Sequence, residues 1–320
     1  MSFTRWGLDP VGWGFLGAGH LVTKATAAAV HEAPEAKLMS VAARDVTRAR
    51  AVEPERAYDS YAAVLEDPRV EAVYIALSND LHLKWILDSL QAGKHVLCEK
   101  PMTMSAADSQ MAFDAAAASG LLLVEATWAL WHPRIKRIVE LVRGGTIGEV
   151  AKFDGSFTFD RVRPGNYRLD KNQGGGSFLD TGIYPLHVLT DAAPNMKPKV
   201  VQSERDENDT GADMTTKAAI EFESGAEATV LSSFVMKPQQ ELRLEGTAGL
   251  LEVTDGQAYT SWRTPSQLKV DGHVEDFPAV DAYQLMFSAV SRRVRGEDVW
   301  VLPPSQSIQV AKLVDAVYQT

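Results

Sequence analysis

Gly14-Phe15-Leu16-Gly17-Ala18-Gly19-His20-Leu21-Val22 decides how this chain is read. An apolar strand ends at Leu16, a glycine pair turns the chain, and Leu21 to Val30 continues as an alanine-rich helix. Gly17 permits the tight turn, and Gly19 lets backbone approach a pyrophosphate at the helix N-terminus. Val22 occupies the third position, where glycine or alanine is usual, which predicts a slightly wider helix–strand separation. Alone, the glycine pair does no more than turn a strand into a helix. Its neighbours give it meaning. Strands at Lys37 to Ala43, Ala72 to Leu77, His95 to Cys98 and Leu121 to Thr127 alternate with helices at Val46 to Ala51, Leu81 to Gln91 and Ser105 to Ala118. That rhythm predicts βαβ units and a doubly wound parallel sheet.

Beyond Thr127 the pattern changes. A helix from Pro133 to Arg143 is closed by Gly144 and Gly145, and strands then follow at Val150 to Phe159, Lys199 to Ser203, Thr215 to Phe222, Ala226 to Phe234 and Gln240 to Glu245. Ser224-Gly225 reads as a hairpin turn, so these strands predict a large, mostly antiparallel open sheet. Helices at Ala282 to Arg295 and Ser305 to Tyr318 close the chain. Two domains are expected, 1–127 and 128–320.

Composition narrows the function. The 320 residues are 45% apolar and 23% charged, as in ordinary globular domains. Thirty-two basic against 42 acidic residues leave a net charge of −10, which argues against a nucleic-acid or anionic-membrane surface. Cys98 is the single cysteine, so no intrachain disulfide forms, in keeping with a reducing compartment. No apolar run approaches the ~20 residues of a spanning helix, and Glu125 interrupts the run from Gly120 to Thr127. Val11 to Val22 imitates a short signal core, but Asp9, Pro10 and five glycines between Gly7 and Gly19 suit a turn better. A soluble cytoplasmic protein is expected. No cluster of histidine, cysteine and carboxylates has metal-ligand spacing, and no nucleophile elbow is present.

The second strand ends Val41-Ala42-Ala43-Arg44-Asp45. An NAD site places a carboxylate at this tip for the ribose 2′-hydroxyl; here Ala43 holds the tip and Arg44 follows. A guanidinium forks onto a 2′-phosphate, so NADP(H) is expected, with NAD, served by Asp45, as the alternative.

Glu99-Lys100-Pro101 ends another strand at the ligand-binding edge of the sheet, preceded by Ala76-Leu77-Ser78-Asn79-Asp80-Leu81-His82. With the glycine turn and with Gly174-Gly175-Gly176-Ser177-Phe178-Leu179-Asp180-Thr181-Gly182-Ile183-Tyr184, these motifs resemble the glucose–fructose oxidoreductase/inositol dehydrogenase (Gfo/Idh/MocA) family over nearly the whole chain. The resemblance implies a Rossmann domain followed by a substrate and oligomerisation domain. It also implies cofactor contacts at Gly17, Gly19, His20, Leu21, Arg44, Ser78, Asn79, His82, Glu99 and Lys100, and a catalytic role for Lys100. Inositol-type members carry histidine where this chain has Tyr184; tyrosine resembles the NADP-linked sugar and dihydrodiol dehydrogenase branches. Leu8 to Gly12, between Trp6-Gly7 and Trp13-Gly14, is an insertion relative to the family, without a functional account.

Asp180 and Tyr184 stand four apart, on one helical face. Removing a carbinol proton as hydride leaves needs a base, and a phenol of pKa about 10 needs a nearby ammonium to lower it. Tyr184 is therefore expected as acid/base, Lys100 as its partner and relay, and Asp180 as the orienting or substrate-binding carboxylate. Arg168, His187, Trp128 and Trp131 complete the expected substrate contacts, with packing in an interdomain core as the alternative for both tryptophans. The expected activity is hydride transfer between NADP(H) and a sugar, as a pyranose, keto-sugar or anhydrosugar. A trans-dihydrodiol or inositol/polyol dehydrogenase is the nearest alternative, and a catalytically silent NADP-binding regulator is the alternative of another class. The open sheet is expected to present an apolar face that a homodimer or homotetramer covers.

Overall fold

The structure is a computed structural model that describes residues 9–253 and 255–320. Its first layer is a six-stranded parallel sheet: β1 (Val11–Leu16), β2 (Ala36–Ala42), β3 (Arg56–Tyr58), β4 (Ala72–Ile75), β5 (His95–Glu99) and β6 (Leu123–Ala126). The spatial order is β3-β2-β1-β4-β5-β6. Strand order reverses between β1 and β4, which opens a crevice at their carboxyl ends. Helices α1 (Ala27–Glu32), α2 (Val46–Arg50), α3 (Tyr61–Glu66), α4 (His82–Gln91) and α5 (Ala106–Ser119) make the crossovers. β3 and α3 are absent from the sequence reading, because a three-residue strand and a six-residue helix of mixed character show no clear period. Ser105 caps α5, its Oγ accepting the Asp108 N–H at 3.1 Å. Of the proposed insertion, Leu8 and the preceding Trp6-Gly7 lie outside the described residues, while Val11 and Gly12 begin β1.

The second sheet has eight strands: β7 (Val150–Thr158), β8 (Pro198–Glu207), β9 (Asp213–Phe222), β10 (Glu227–Ser233), β11 (Gln239–Gly246), β12 (Leu250–Val253), β13 (Ser266–Val270) and β14 (His273–Phe277). Their order is β14-β13-β12-β11-β7-β10-β9-β8, antiparallel except for the β7–β10 pair. The β9–β10 hairpin turns at Gly225, whose φ of 85° is the left-handed conformation expected of Ser224-Gly225. Helices α6 (Pro133–Arg143) and α7 (Ile183–Ala192) lie on the inner face. Gly155 allows the close approach, since a Cβ there would stand 2.5 Å from the Pro185 ring.

The outer face overturns one expectation. It is charged, not apolar: Lys217, Glu221, Arg243 and Glu245 alternate with buried Ile220, Leu242 and Leu244. Glu252 of β12 pairs with Lys269 of β13 at 2.7 Å and approaches Arg243 of β11 at 3.9 Å. Period-two alternation sends the apolar set toward α6 and α7 and leaves the charges in water.

Helix α8 (Ala282–Val294) then returns to the first sheet, where Phe287 packs against Trp13, Phe15 and Tyr74. Helix α9 (Pro304–Gln319) runs between α5 and α7. Among the described residues no helix is long and apolar enough to cross a membrane.

Gly17 is the most constrained position in the cofactor edge. Its φ is 103°, and an added Cβ would lie 2.4 Å from the Ala76 carbonyl oxygen. Gly17→Ala should lower stability by at least the ~1–3 kcal/mol of a forbidden backbone conformation, read as a reduced urea midpoint. An unchanged midpoint would show that the turn relaxes freely.

Candidate active site

The glycine turn forms a cradle. A Cβ on Gly19 would meet nothing within 4 Å, and the helix opens directly afterwards at exposed His20 and half-buried Leu21. At Val22–Thr26 this helix widens to i→i+5 spacing, beginning where valine replaces the usual small residue. Open space, unsatisfied N–H groups and the positive helix end fit the pyrophosphate of a dinucleotide. At the β2 tip, Ala43 is buried, and Arg44 is exposed with no hydrogen bond or ion pair to the described residues. Asp45 is already occupied: its Oδ1 accepts from the Thr47 N–H at 2.9 Å and the Thr47 hydroxyl at 2.6 Å, capping α2.

Two loops cross the carboxyl edge nearby. Ser78 is half-buried, and the buried Asn79 amide donates to the Gly174 carbonyl at 2.8 Å. His82, fully buried, has Nδ1 2.9 Å from the Pro101 oxygen and Nε2 3.3 Å from the Leu77 oxygen. Its imidazole thus ties the two loops together. The Lys100–Pro101 bond is cis. Glu99 is buried, and the Tyr74 hydroxyl donates to it at 2.5 Å.

The glycine run from the second domain brings the remaining groups. Gly174 and Gly176 have φ of 74° and 131°, and a Cβ on Gly175 would sit 2.6–2.7 Å from the carbonyls of Tyr167, Arg168 and Asp170. Glycine therefore lets the run lie flat on the Tyr167–Asp170 segment, which delivers Arg168. The following helix begins with i→i+5 spacing over Phe178–Gly182 and continues as α7. Buried Asp213 of β9 anchors its start, accepting from the Ser177 hydroxyl at 2.7 Å and the Phe178 N–H at 2.9 Å.

Asp180 is the centre. Lys100 Nζ donates to its Oδ1 and to its backbone oxygen, both at 2.8 Å. Arg168 forks onto the same carboxylate, Nε to Oδ2 at 2.7 Å and Nη2 to Oδ1 at 3.2 Å. Burial alone would raise this carboxyl, but Arg168 and Lys100 outweigh it and hold it well below the usual carboxylate range. Burial likewise works against the Lys100 ammonium, and Asp180 overcomes it, holding Lys100 charged above the ordinary lysine value.

Tyr184 lies beside them. Its ring centroid is 5.0 Å from Lys100 Nζ, and its hydroxyl oxygen accepts the Trp128 indole N–H at 3.0 Å. The expected lowering of this phenol is not found. Burial pushes it up, and Lys100, pulling it down, does not compensate. Trp128 stacks on Tyr283 with centroids 4.5 Å apart, so it serves packing and Tyr184 together. Trp131 is buried against Trp300, the packing alternative for that residue, and His187 is buried beside Glu125 and Thr127. Trp128 as a hydrogen-bond donor and Glu125 were missed by sequence reasoning; the signal for Glu125 was a lone carboxylate in an apolar strand.

A dinucleotide cradle facing a lysine–carboxylate–tyrosine cluster defines a nicotinamide-dependent oxidoreductase acting on CH–OH groups. Residues 11–127 match an oxidoreductase family with an NAD-binding Rossmann fold (GFO_IDH_MocA), and residues 135–252 match the GFO/IDH/MocA C-terminal domain. The chain belongs to the Gfo/Idh/MocA family. It is 33% identical to D-xylose 1-dehydrogenase (NADP(+)) 2 of Haloferax volcanii, with 96% of each chain covered. It is 31% identical to trans-1,2-dihydrobenzene-1,2-diol dehydrogenase of Mus musculus, covering 83% of this chain and 79% of that one. Among solved structures, a 3-ketoreductase from Actinomadura kijaniata in complex with NADP and TDP-benzene superposes with a TM-score of 0.88 at 27% identity, covering 97% of this chain and 98% of the other.

Burial pushes the Glu99 carboxyl up to about 7, with Lys100 and Tyr74 pulling the other way. The folded protein thus holds a proton there that the unfolded chain releases near 4.5. Stability should fall as pH rises from about 4.5 to 7, by up to about 1.4 kcal/mol per unit from this group. Glu99→Gln should flatten that slope in a series of denaturant midpoints; an equal slope would place the titration elsewhere.

Proposed function

We propose that this protein is a cytoplasmic NADP(H)-dependent oxidoreductase interconverting a ring carbinol and carbonyl of a sugar, most simply a pyranose. The observation that carries this is the triad of contacts at Tyr184: Lys100 Nζ 5.0 Å from its ring, Asp180 holding that ammonium, and Trp128 donating to its oxygen. Because the indole occupies a lone pair of Tyr184, the phenol keeps its own hydrogen for a substrate oxygen. In reduction Tyr184 gives that proton to the carbonyl oxygen. The phenolate left behind has the Lys100 ammonium 5.0 Å from its ring centroid and retains the Trp128 N–H, so its charge develops against groups already in place. In oxidation the same atoms run in reverse, and Tyr184 receives the carbinol proton. When bound, the dinucleotide supplies or takes up the hydride at nicotinamide C4. Gly17, Gly19, His20 and Leu21 would hold its pyrophosphate, with Ser78, Asn79 and Glu99 at the nicotinamide side. Arg168 and Trp128 border the substrate position.

Exposed Arg44 beside buried Ala43, with Asp45 committed to its helix, supports NADP over NAD. The relatives add to this: one is named as an NADP-dependent xylose dehydrogenase and another is solved with NADP as a 3-ketoreductase. The division into 1–127 and 128–320 is part of the same proposal, as is a homodimer or homotetramer through the second sheet. Given the charged outer face, that contact would be polar and weakened by salt.

Two measurements test the reading. Arg44→Ala should lower kcat/KM for NADP by about tenfold or more while sparing NAD, in line with loss of a charge-assisted hydrogen bond; equal effects on both cofactors, or a wild-type preference for NAD, would refute the assignment. On a panel of aldoses, keto-sugars, inositols and dihydrodiols followed by reduced-cofactor absorbance, turnover should be greatest with a sugar. There Tyr184→Phe should cut kcat by roughly 10²–10⁴ with folding intact. Near-normal turnover of that variant excludes Tyr184 as the proton donor.

A further inference from the structure

Glu125 is the one carboxylate of β6, and it is 5% exposed. Its Oε1 accepts the Met102 N–H at 3.1 Å, two residues beyond Lys100 and across the cis peptide. Its Oε2 lies 3.4 Å from His187 Nε2, on α7 three residues past Tyr184. Thr127 Oγ1 stands 3.3 Å from the same ring nitrogen, and the Gln306 amide of α9 donates to the His187 carbonyl at 3.0 Å. His187 is fully buried. One carboxylate therefore touches both the loop that carries Lys100 and the helix that carries Tyr184, although those elements belong to different sheets.

We propose that Glu125 and His187 are positioning residues: a buried tie that sets the distance between the Lys100 ammonium and the Tyr184 phenol. This rests on the roles proposed above for Lys100 and Tyr184. The physical reason is that a buried carboxylate is tolerated only while its partners stay in place, so displacement of either element exposes an uncompensated charge. Because that cost rises steeply with separation, the tie resists small shifts that packing alone would permit. A misplacement of about 1 Å at a reacting pair costs on the order of 10²-fold in rate.

His187→Leu removes the donor, and His187→Gln restores an N–H at similar reach. Kinetics and amide exchange at Met102 are measured for both. For His187→Leu the expected result is a kcat lowered about ten- to a hundredfold, a KM for NADP within about twofold, and faster exchange at Met102. His187→Gln should recover most of the kcat. In a Tyr184→Phe background, His187→Leu should cost nothing further, because the phenol it places is already gone. A folded His187→Leu enzyme with normal kcat overturns the tie, as does an equal loss with and without the Tyr184 hydroxyl. Should His187→Leu fail to fold, Glu125→Gln carries the same measurements. If Tyr184→Phe itself turns over normally, the reading of the site fails instead, and unchanged Met102 exchange in His187→Leu then still refutes the tie.

Discussion

Asp180 carries a negative charge at a place almost closed to water, and most of the site depends on how that charge is compensated. A buried carboxylate is expensive unless its lone pairs are met by donors of opposite charge. Here Lys100 reaches it from the end of the parallel sheet and Arg168 from the segment that precedes the glycine run. The same contact that stabilises Asp180 brings the ammonium over the Tyr184 ring. Electrostatic compensation and the placement of the ammonium beside the phenol are therefore one arrangement, joining segments of both domains.

The supporting structure follows from this demand. Arg168 arrives because Gly175 lies against the carbonyls of its loop, at distances no Cβ would allow. Asp180 arrives because Asp213 holds the beginning of its helix with two hydrogen bonds from Ser177 and Phe178. Lys100 arrives because His82 and Glu125 fasten the loop beyond it. Three buried polar side chains, Asp213, His82 and Glu125, thus aim the few that meet the cleft. Buried hydrogen bonds of this kind hold geometry more sharply than apolar contacts, which tolerate sliding.

Much of the fold was legible in the linear pattern. The β1 turn at Gly17, the α5 start at Ser105 and the hairpin at Gly225 each rest on a few adjacent residues, and each is local chemistry. What escaped had little local signal: β3 and α3 are short, and β12 to β14 are strands of four or five residues, too brief for a clear alternation. The outer face of the second sheet was misjudged because an open sheet was taken to need a cover, while Lys217, Glu221 and Arg243 in fact give it a polar surface.

Residue type, short-range spacing and the family resemblance were enough to propose Lys100, Asp180, Tyr184 and the glycine cradle, since those motifs are written in one to ten consecutive positions. They were not enough to tell cleft from core. His82, Trp131 and His187 have the composition of ligand contacts, and only packing from distant segments encloses them. The direction of the Tyr184 shift was likewise hidden, because it depends on how much water the folded chain excludes and not on which neighbours the sequence names. Burial is a property of the whole assembly of elements, and no single stretch of chain carries it.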